Sequence, residues 1–232
     1  MPFTQFFTMH YWTTVTGFGG STVMMPAAAA FAAWLVLGGA WRTALWWCGL
    51  FGAGLALVVA SKIAFIGWGI GIQALDFTGF SGHAMRAMAV IPVLFYLVLQ
   101  NASVATRTVG VLGGLLLGLL ICTSRIVLEV HSVAEAVSGG MLGTAVSLGF
   151  IAISAKLEKP LLNRTLMTAT IVGLVAMSYA EPIPSQSLLV RAALSLSGHD
   201  KPYTRENWKS QRDTELGITE KPQNLARIQL KS

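Results

Sequence analysis

Six apolar runs, each close to the length of a membrane-spanning helix, dominate this sequence. Such a helix needs about 20 mostly apolar residues in succession. Charged residues make up only 11% of the 232 residues, less than half of their usual share in a soluble domain. The sequence therefore predicts an all-α integral membrane bundle of about six transmembrane helices. The predicted spans are roughly 23–40, 44–67, 82–99, 108–123, 132–155 and 165–181.

The two ends of the chain differ from this apolar middle. Residues 1–22 are aromatic and polar and are predicted to lie at the membrane interface, although a loosely ordered terminus fits them equally well. Residues 23–184 contain the predicted spans. Residues 185–232 are predicted to form a polar tail, which begins with a short interfacial helix over 185–196 and is solvated from His199 onward.

The distribution of Lys and Arg over the predicted loops indicates an orientation. Arg42, Arg107 and the basic residues of 156–164 fall in alternate loops, which the positive-inside rule makes cytoplasmic. The other loops are then external. The basic tail would also be external, against the rule, but the rule is weak for long terminal segments. The formal charge of +6 is interpreted as a topology signal and as contact with lipid headgroups, so no nucleic-acid partner is predicted.

Ionisable side chains are concentrated between Thr123 and Glu135, in an otherwise apolar sequence. A charge at bilayer depth costs several kcal/mol, so a function is expected of it. If a helix begins near His131, Glu135 lies one turn later on the same face. Its carboxylate can hold one imidazole nitrogen and leave the other free as a nucleophile. Arg125 can bind a phosphate through its planar guanidinium. The alternative is a polar turn that carries an ion pair.

A second polar segment, Ser81-Gly82-His83, opens the third predicted span. It is followed by Ser124-Arg125, with His131 six residues after the arginine and Glu135 four residues further on. This combination resembles the type 2 phosphatidic acid phosphatase (PAP2) family, integral membrane lipid phosphatases related to the vanadium haloperoxidases. The resemblance covers roughly residues 24–155 and implies a PAP2/haloperoxidase-like helical core.

The chain departs from the family pattern at several positions. Glu135 stands where the family usually has aspartate, and Phe80 replaces the proline of Pro-Ser-Gly-His. The first family motif, a lysine followed by Arg-Pro, is eroded. Lys62 is a plausible lysine, but Gly69-Ile70 stands where Arg-Pro is expected. Lys62 therefore either holds phosphate or extends to the headgroups. Arg86, one turn after His83, either replaces the missing arginine or contacts a lipid phosphate.

The resemblance implies a site for phosphoryl transfer. His131 would attack phosphorus and become a phosphohistidine. Glu135 would orient His131 and stabilise its developing positive charge. His83 would protonate the leaving oxygen and later activate water. No metal or other cofactor is predicted, because cations of the chain would neutralise the phosphate. The predicted phosphate-binding residues are Lys62, Ser81, Gly82, Arg125 and Arg86.

The predicted function is that of a membrane lipid phosphatase acting on a lipid phosphate or pyrophosphate. The expected location is a bacterial inner membrane, with the site on the external face. Polyprenyl pyrophosphate and phosphatidylglycerol phosphate are the family substrates to test first. Two alternatives remain open: a lipid-to-lipid phosphotransferase, and a non-catalytic lipid-binding membrane protein of the same fold. The sequence leaves the oligomeric state open.

Overall fold

The computed structural model describes residues 3–177, 185–208 and 210, and only the backbone of residues 3–10 and 185. Within these residues the regular structure is helical, which confirms the predicted all-α class. A single 3-10 turn over Gln73–Leu75 interrupts the connection between the third and fourth helices. The helices are α1 Phe3–Phe18, α2 Ser21–Leu37, α3 Trp41–Trp68, α4 Gly82–Val98, α5 Val104–Val127, α6 Val133–Ser154, α7 Arg164–Met177 and α8 Ser185–Ser197.

Four segments of the described chain are long and apolar enough to cross a membrane. The first runs through the turn between α1 and α2, and the other three are α3, α5 and α6; their bounds are Tyr11–Leu37, Trp41–Trp68, Val104–Val127 and Val133–Ser154. Helices α4 and α7 are also apolar but have 17 and 14 residues. At 1.5 Å per residue, α4 is about 26 Å long, slightly less than a bilayer core of about 30 Å. The chain is an integral membrane protein, and the predicted number of six spans is approximate.

One boundary differs from the prediction in a way that matters for the site. The span predicted over 108–123 is longer, because α5 continues to Val127 and includes Arg125 in its last turn. The helix predicted over 185–196 is α8, and it packs against the end of α3. Of the span predicted over 165–181, the last residues lie outside the described part of the chain.

Helices α2 to α6 run in alternate directions between the two ends of the bundle. At one end, the N–H of Leu161 donates to Gly38 O over 3.0 Å, and Gln100 Nε2 donates to Pro160 O over 3.1 Å. At the other end, α3 and α5 finish while α4 and α6 begin, and the N–H of Ser81 donates to Glu135 O over 3.1 Å. We call this second end the site end.

Close contact between α4 and α6 fixes the site end. An ideal Cβ at Gly139 would lie 2.5 Å from Ser81 O, and one at Gly143 would collide with Met85 O. Hydrophobic driving force between helices is weak in lipid, so small residues that let backbones approach contribute much of the packing. The glycines of α6 thus hold the start of α4 against the start of α6.

Aromatic packing forms the core away from the site. Trp47 of α3 is buried and contacts the rings of Phe31, Phe51 and Phe150. Its indole N–H donates to Ala28 O over 2.8 Å, so its polar atom is satisfied inside the bundle. This cluster joins α2, α3 and α6. The polar residues of the candidate site lie apart from it, at the site end of the bundle.

Candidate active site

His131 and Glu135 meet at the start of α6. Ser132 is the N-cap of this helix, and its hydroxyl accepts from the N–H of Glu135 over 3.3 Å. The Glu135 carboxylate accepts in return from the N–H of Ser132 over 3.3 Å, which completes a capping box. The same oxygen, Oε2, lies 2.7 Å from His131 Nδ1. The predicted pairing of these two side chains across one turn is present in the structure.

The second oxygen of Glu135 is also fully occupied. Oε1 accepts from the N–H of Thr78 over 2.8 Å, from the Thr78 hydroxyl, and from Arg205 Nη2 over 2.7 Å. An ionised carboxylate can only accept hydrogen bonds, so His131 Nδ1 carries the proton. His131 Nε2 is then the basic nitrogen of the ring. This is the arrangement that nucleophilic chemistry by an imidazole requires.

His131 lies in the loop before α6, with its side chain 13% exposed. Burial lowers the pKa of His131 from its ordinary value, and the positive charges of Lys62 and Arg125 lower it further. The hydrogen bond and the charge of Glu135 raise it in opposition. The balance favours a neutral imidazole, which is the nucleophilic form.

The start of α4 supplies a second histidine. Ser81 is buried and caps this helix, with its hydroxyl accepting from the N–H of Ala84 over 3.5 Å. Gly82 and His83 follow as the first helical residues, and N–H groups of a first turn have no partner within the helix. Arg86 lies one turn later, and its Nη1 would be 3.2 Å from a Cβ at Gly82. A helix start of this composition can bind an anion.

Three cations from three different helices lie close enough to His83 to act on it electrostatically. The positive charges of Arg125, Arg86 and Lys62 all act on its ring. Arg125 is buried at the end of α5, where its Nη1 donates to the Thr16 hydroxyl of α1 over 2.8 Å. The site end therefore brings together side chains from α1, α3, α4, α5 and α6.

These cations have few partners within the protein. The Nε atoms of Arg86 and Arg125 are buried without a hydrogen-bond acceptor among the described residues. In the same part of the chain, the ion pairs to carboxylates involve His131 and Arg205, and none involves Lys62, Arg86 or Arg125. A buried cation without a counterion is costly. An anion bound here would supply that counterion.

All eight predicted site residues lie together at the site end, and their individual roles stay predictions. They are His131, Glu135, His83, Lys62, Ser81, Gly82, Arg125 and Arg86.

One departure from the family pattern has a visible consequence. The N–H of Phe80 donates to the Ser61 hydroxyl over 3.1 Å, and a proline at this position would lack that donor. The preceding residue, Gly79, has φ +142°, and a Cβ there would lie 3.0 Å from Ser61 Oγ and 3.2 Å from Lys62 N. The loop before α4 is therefore seated directly on α3 beside Lys62.

Arg205 is a site residue that sequence reasoning missed. The prediction that the chain is solvated from His199 onward is wrong for Trp208, which is buried, and for Arg205, which is half-buried against the site. Trp208 is buried with its ring 4.8 Å from that of Phe65, centroid to centroid, and Arg205 reaches Glu135. A tryptophan within a polar segment was the available signal, because its large apolar surface usually packs against a partner.

Two threonines were also missed. Thr78 donates twice to Glu135, and Thr16 accepts from Arg125. Both are uncharged residues in segments that showed no motif, so the sequence offered no comparable signal. No three His, Cys, Asp or Glu side chains of the described residues gather as a metal site, and chemistry without a metal stays a prediction.

One end of this helical membrane bundle holds a histidine–glutamate pair, a second histidine and three cations that form no ion pair among the described residues. The fold and the site therefore define an integral membrane protein with a candidate anion site. Comparison with known proteins identifies the family. A protein-family sequence model described as the PAP2 superfamily matches residues 71–159. A protein of Klebsiella pneumoniae, described as an uncharacterized 22.5 kDa protein in the cps region, is 36% identical over 205 residues. The aligned region covers 86% of this chain and 98% of that protein.

The chain belongs to the PAP2 superfamily. Members of this superfamily are generally phosphatases, which gives the protein a phosphatase-type, lipid-related function in outline. The matched range begins after Lys62, so the eroded first motif lies outside it. No solved structure matches the chain significantly.

Proposed function

We propose that the protein is a membrane lipid phosphatase that hydrolyses a lipid phosphate or pyrophosphate through a phosphohistidine intermediate. The observation that carries this proposal is a set of three cations beside a histidine whose Nδ1 is held by Glu135. These cations, Lys62, Arg86 and Arg125, have no carboxylate partner within the described part of the chain. Phosphoryl transfer needs positive charge around the phosphate oxygens and a positioned nucleophile, and catalysis by such sites is largely positioning and electrostatic stabilisation.

In the first step, His131 Nε2 attacks phosphorus, and a P–N bond forms as the P–O bond to the leaving group breaks. Glu135 accepts the Nδ1–H throughout and stabilises the positive charge on the ring. His83 donates a proton to the departing oxygen, which leaves as an alcohol or as a protonated phosphate. Because the charges of three cations act on His83, this role requires the negative charge of a bound phosphate.

In the second step, water replaces His131 on phosphorus. His83, now neutral, takes a proton from the water as its oxygen attacks. The P–N bond breaks, inorganic phosphate is released, and His131 regains a free Nε2. Ser81, Gly82 and the three cations are proposed to bind the phosphate oxygens during both steps.

An apolar cavity of about 310 Å³ supports a lipid as the carrier of the phosphate. Side chains of α1, α2, α4, α5 and α7 line it, among them Ile121. The turn at Gly19 lies between this cavity and the site, since a Cβ there would be 2.5 Å from Ile121 Cγ2 and 3.7 Å from His83 Cδ2. A hydrocarbon chain in the cavity would leave its phosphate near the cations.

Phosphate release by detergent-purified protein tests the proposal. The panel contains polyprenyl pyrophosphate, phosphatidylglycerol phosphate and, as a soluble control, glycerol 3-phosphate. We expect release from at least one lipid, little from the soluble ester, and none after His131→Ala. Glu135→Gln should also lower the rate strongly, whereas Glu129→Gln, an exposed neighbour in the same loop, should not. Binding of the lipids without any release would overturn the proposal in favour of a non-catalytic protein.

The His83→Ala variant separates the two steps. A pyrophosphate leaves readily without a proton donor, so His131 should still become phosphorylated. Hydrolysis of that intermediate should then be slow, and acid-labile label should accumulate on His131. Label that moves instead to an added lipid alcohol in the wild type would indicate a phosphotransferase. Equal loss for every leaving group without trapped label would contradict the role given to His83.

A further inference from the structure

Residues 199–208, which follow α8, lie across the site end of the bundle, and we call them the C-terminal segment. The N–H of Tyr203 donates to Ile66 O over 2.9 Å, and His199 Nδ1 lies 2.7 Å from Gly67 O. Trp208 packs edge-on against Phe65. These contacts attach the segment to the last turn of α3 without any contribution from Arg205.

The loop after α3 is shaped to receive this segment. Gly69 has φ +70°, and a Cβ there would lie 2.9 Å from Tyr203 Cδ1. A Cβ at Gly71 would collide with Trp208 and lie 2.5 Å from Phe77 O. Gly69 occupies the position at which the family pattern has arginine. A long side chain there could not coexist with Tyr203 in its observed place.

Arg205 brings a positive charge from this segment to the buried carboxylate. Its Nη2 lies 2.7 Å from Glu135 Oε1, and its Nε lies 3.4 Å from Asp76 Oδ1. Glu135 is 1% exposed, so its charge requires a partner. Among the described residues, Arg205 is the arginine or lysine that forms an ion pair with it.

We propose that Arg205 is a positioning residue for His131 that acts through Glu135. By balancing the charge of the carboxylate, it lets Glu135 hold the Nδ1–H of His131 without drawing a second proton onto Nε2. The consequence for turnover rests on the proposed function. The effect on the protonation of His131 does not.

The charges that face His131 determine the direction of the effect. They are Glu135 from α6, Lys62 from α3 and Arg125 from α5, with His83 and Arg86 of α4 in the same cluster. Glu135 is the negative member of this set. Loss of Arg205 leaves its charge unbalanced, while the donors from Thr78 and Ser132 still hold it in place. The pKa of His131 should therefore rise.

Reaction of the histidines with diethyl pyrocarbonate, followed by peptide mass spectrometry, tests this without substrate. The reagent modifies neutral imidazole, so the rate at His131 as a function of pH gives its midpoint. We expect Arg205→Gln to raise that midpoint by roughly half to one pH unit, as expected for the loss of a nearby charge. Arg205→Lys should keep it close to the wild-type value. Lys201→Gln, which removes an exposed charge from the same segment, is the matched control.

A double-mutant cycle identifies the route of the effect. In a Glu135→Gln background, Arg205→Gln should no longer shift the midpoint, because the charge that it balances is gone. The proposal is overturned if Arg205→Gln behaves like Lys201→Gln, or if its shift is unchanged in the Glu135→Gln background. If the wild type releases no phosphate from any lipid, the proposed function fails. The titration of His131 still decides the role of Arg205.

Discussion

Glu135 determines the positions of the residues around it because it is a charge buried at the end of a membrane bundle. Its two oxygens accept from His131, Ser132, Thr78 and Arg205. These donors come from three separate parts of the sequence, since His131 and Ser132 are adjacent but Thr78 and Arg205 are distant. All of them bind one carboxylate. At the scale of the residue, the site is thus a network of hydrogen bonds to a single carboxylate. Beside it lie cations for which the described residues provide no carboxylate partner.

The protonation of His131 predicts a pH dependence. Burial and nearby cations lower the pKa of His131. The imidazole therefore stays neutral at pH values somewhat below its ordinary pKa of about 6.5. Activity requires the neutral form, so kcat/KM should rise with pH through the lowered pKa and should have passed half of its plateau value by pH 6.5. A pH series with a lipid pyrophosphate measures this. An acid limb centred above pH 6.5 would contradict the expectation.

Lys62 and Arg86 can be distinguished from residues that only contact headgroups. If each contacts the phosphate, changing it to alanine should lower kcat/KM about a hundredfold, the effect of losing ~3 kcal/mol of stabilisation in a water-poor site. Arg107→Ala is the matched control, since Arg107 stacks on Tyr96 at the opposite end of the bundle.

Turnover near the wild-type level in Lys62→Ala would show that this lysine is a headgroup anchor. A higher KM with unchanged kcat in Arg86→Ala would indicate that the arginine binds lipid without contributing to the transition state.

At the scale of the element, the contact between α4 and α6 sets the distance between the two histidines. Gly139→Ala places a methyl group 2.5 Å from Ser81 O, against backbone that cannot move independently of α4. We expect a loss of about 1–3 kcal/mol in stability and a lower rate, because Ser81 and His83 shift together. Gly149→Ala on the same helix is the control, since its nearest neighbour would be Leu50 Cδ1 at 4.0 Å.

Thermal unfolding of the two variants in one detergent measures the difference. If both unfold at the same temperature, the two helices have more freedom to separate than their contact indicates.

Local sequence patterns predicted the elements that carry the site. They did not predict contacts between residues that are far apart in the sequence. The pairing of His131 with Glu135 follows from helix geometry over four residues, so the sequence was sufficient. The union of His83 with that pair followed from the family resemblance. Arg205 lies 70 residues from Glu135, and no periodicity or motif links the two. Its place depends on Tyr203 and Trp208 fitting a loop of glycines, which is a property of the folded surface.

At the scale of the whole molecule, the alternating helices separate two faces. Gly38 and Pro160 lie at one end, while Asp76 and Arg205 are paired at the other. The C-terminal segment must therefore share a compartment with the site.

This arrangement predicts the result of topology reporters. A reporter in loop 156–164 should be cytoplasmic, by the distribution of Lys and Arg. Reporters placed after Asp76 and after residue 210 should both be external, because Arg205 pairs with Asp76. If those two reporters lie on opposite sides of the membrane, the docking of the segment is wrong. If the whole pattern is reversed, the site faces the inner leaflet and the candidate substrates change.

The docking of Arg205 also makes the site depend on the order in which the chain is synthesised. A chain is synthesised from its N-terminus, so α1 to α6 emerge from the ribosome before residues 199–208 do. Glu135 can meet Thr78 and Ser132 at that stage, but its cation arrives only when synthesis has passed Trp208. The partners of the Glu135 carboxylate are thus synthesised in two stages. A nascent molecule arrested before Arg205 would possess the helices of the bundle and an unfinished site.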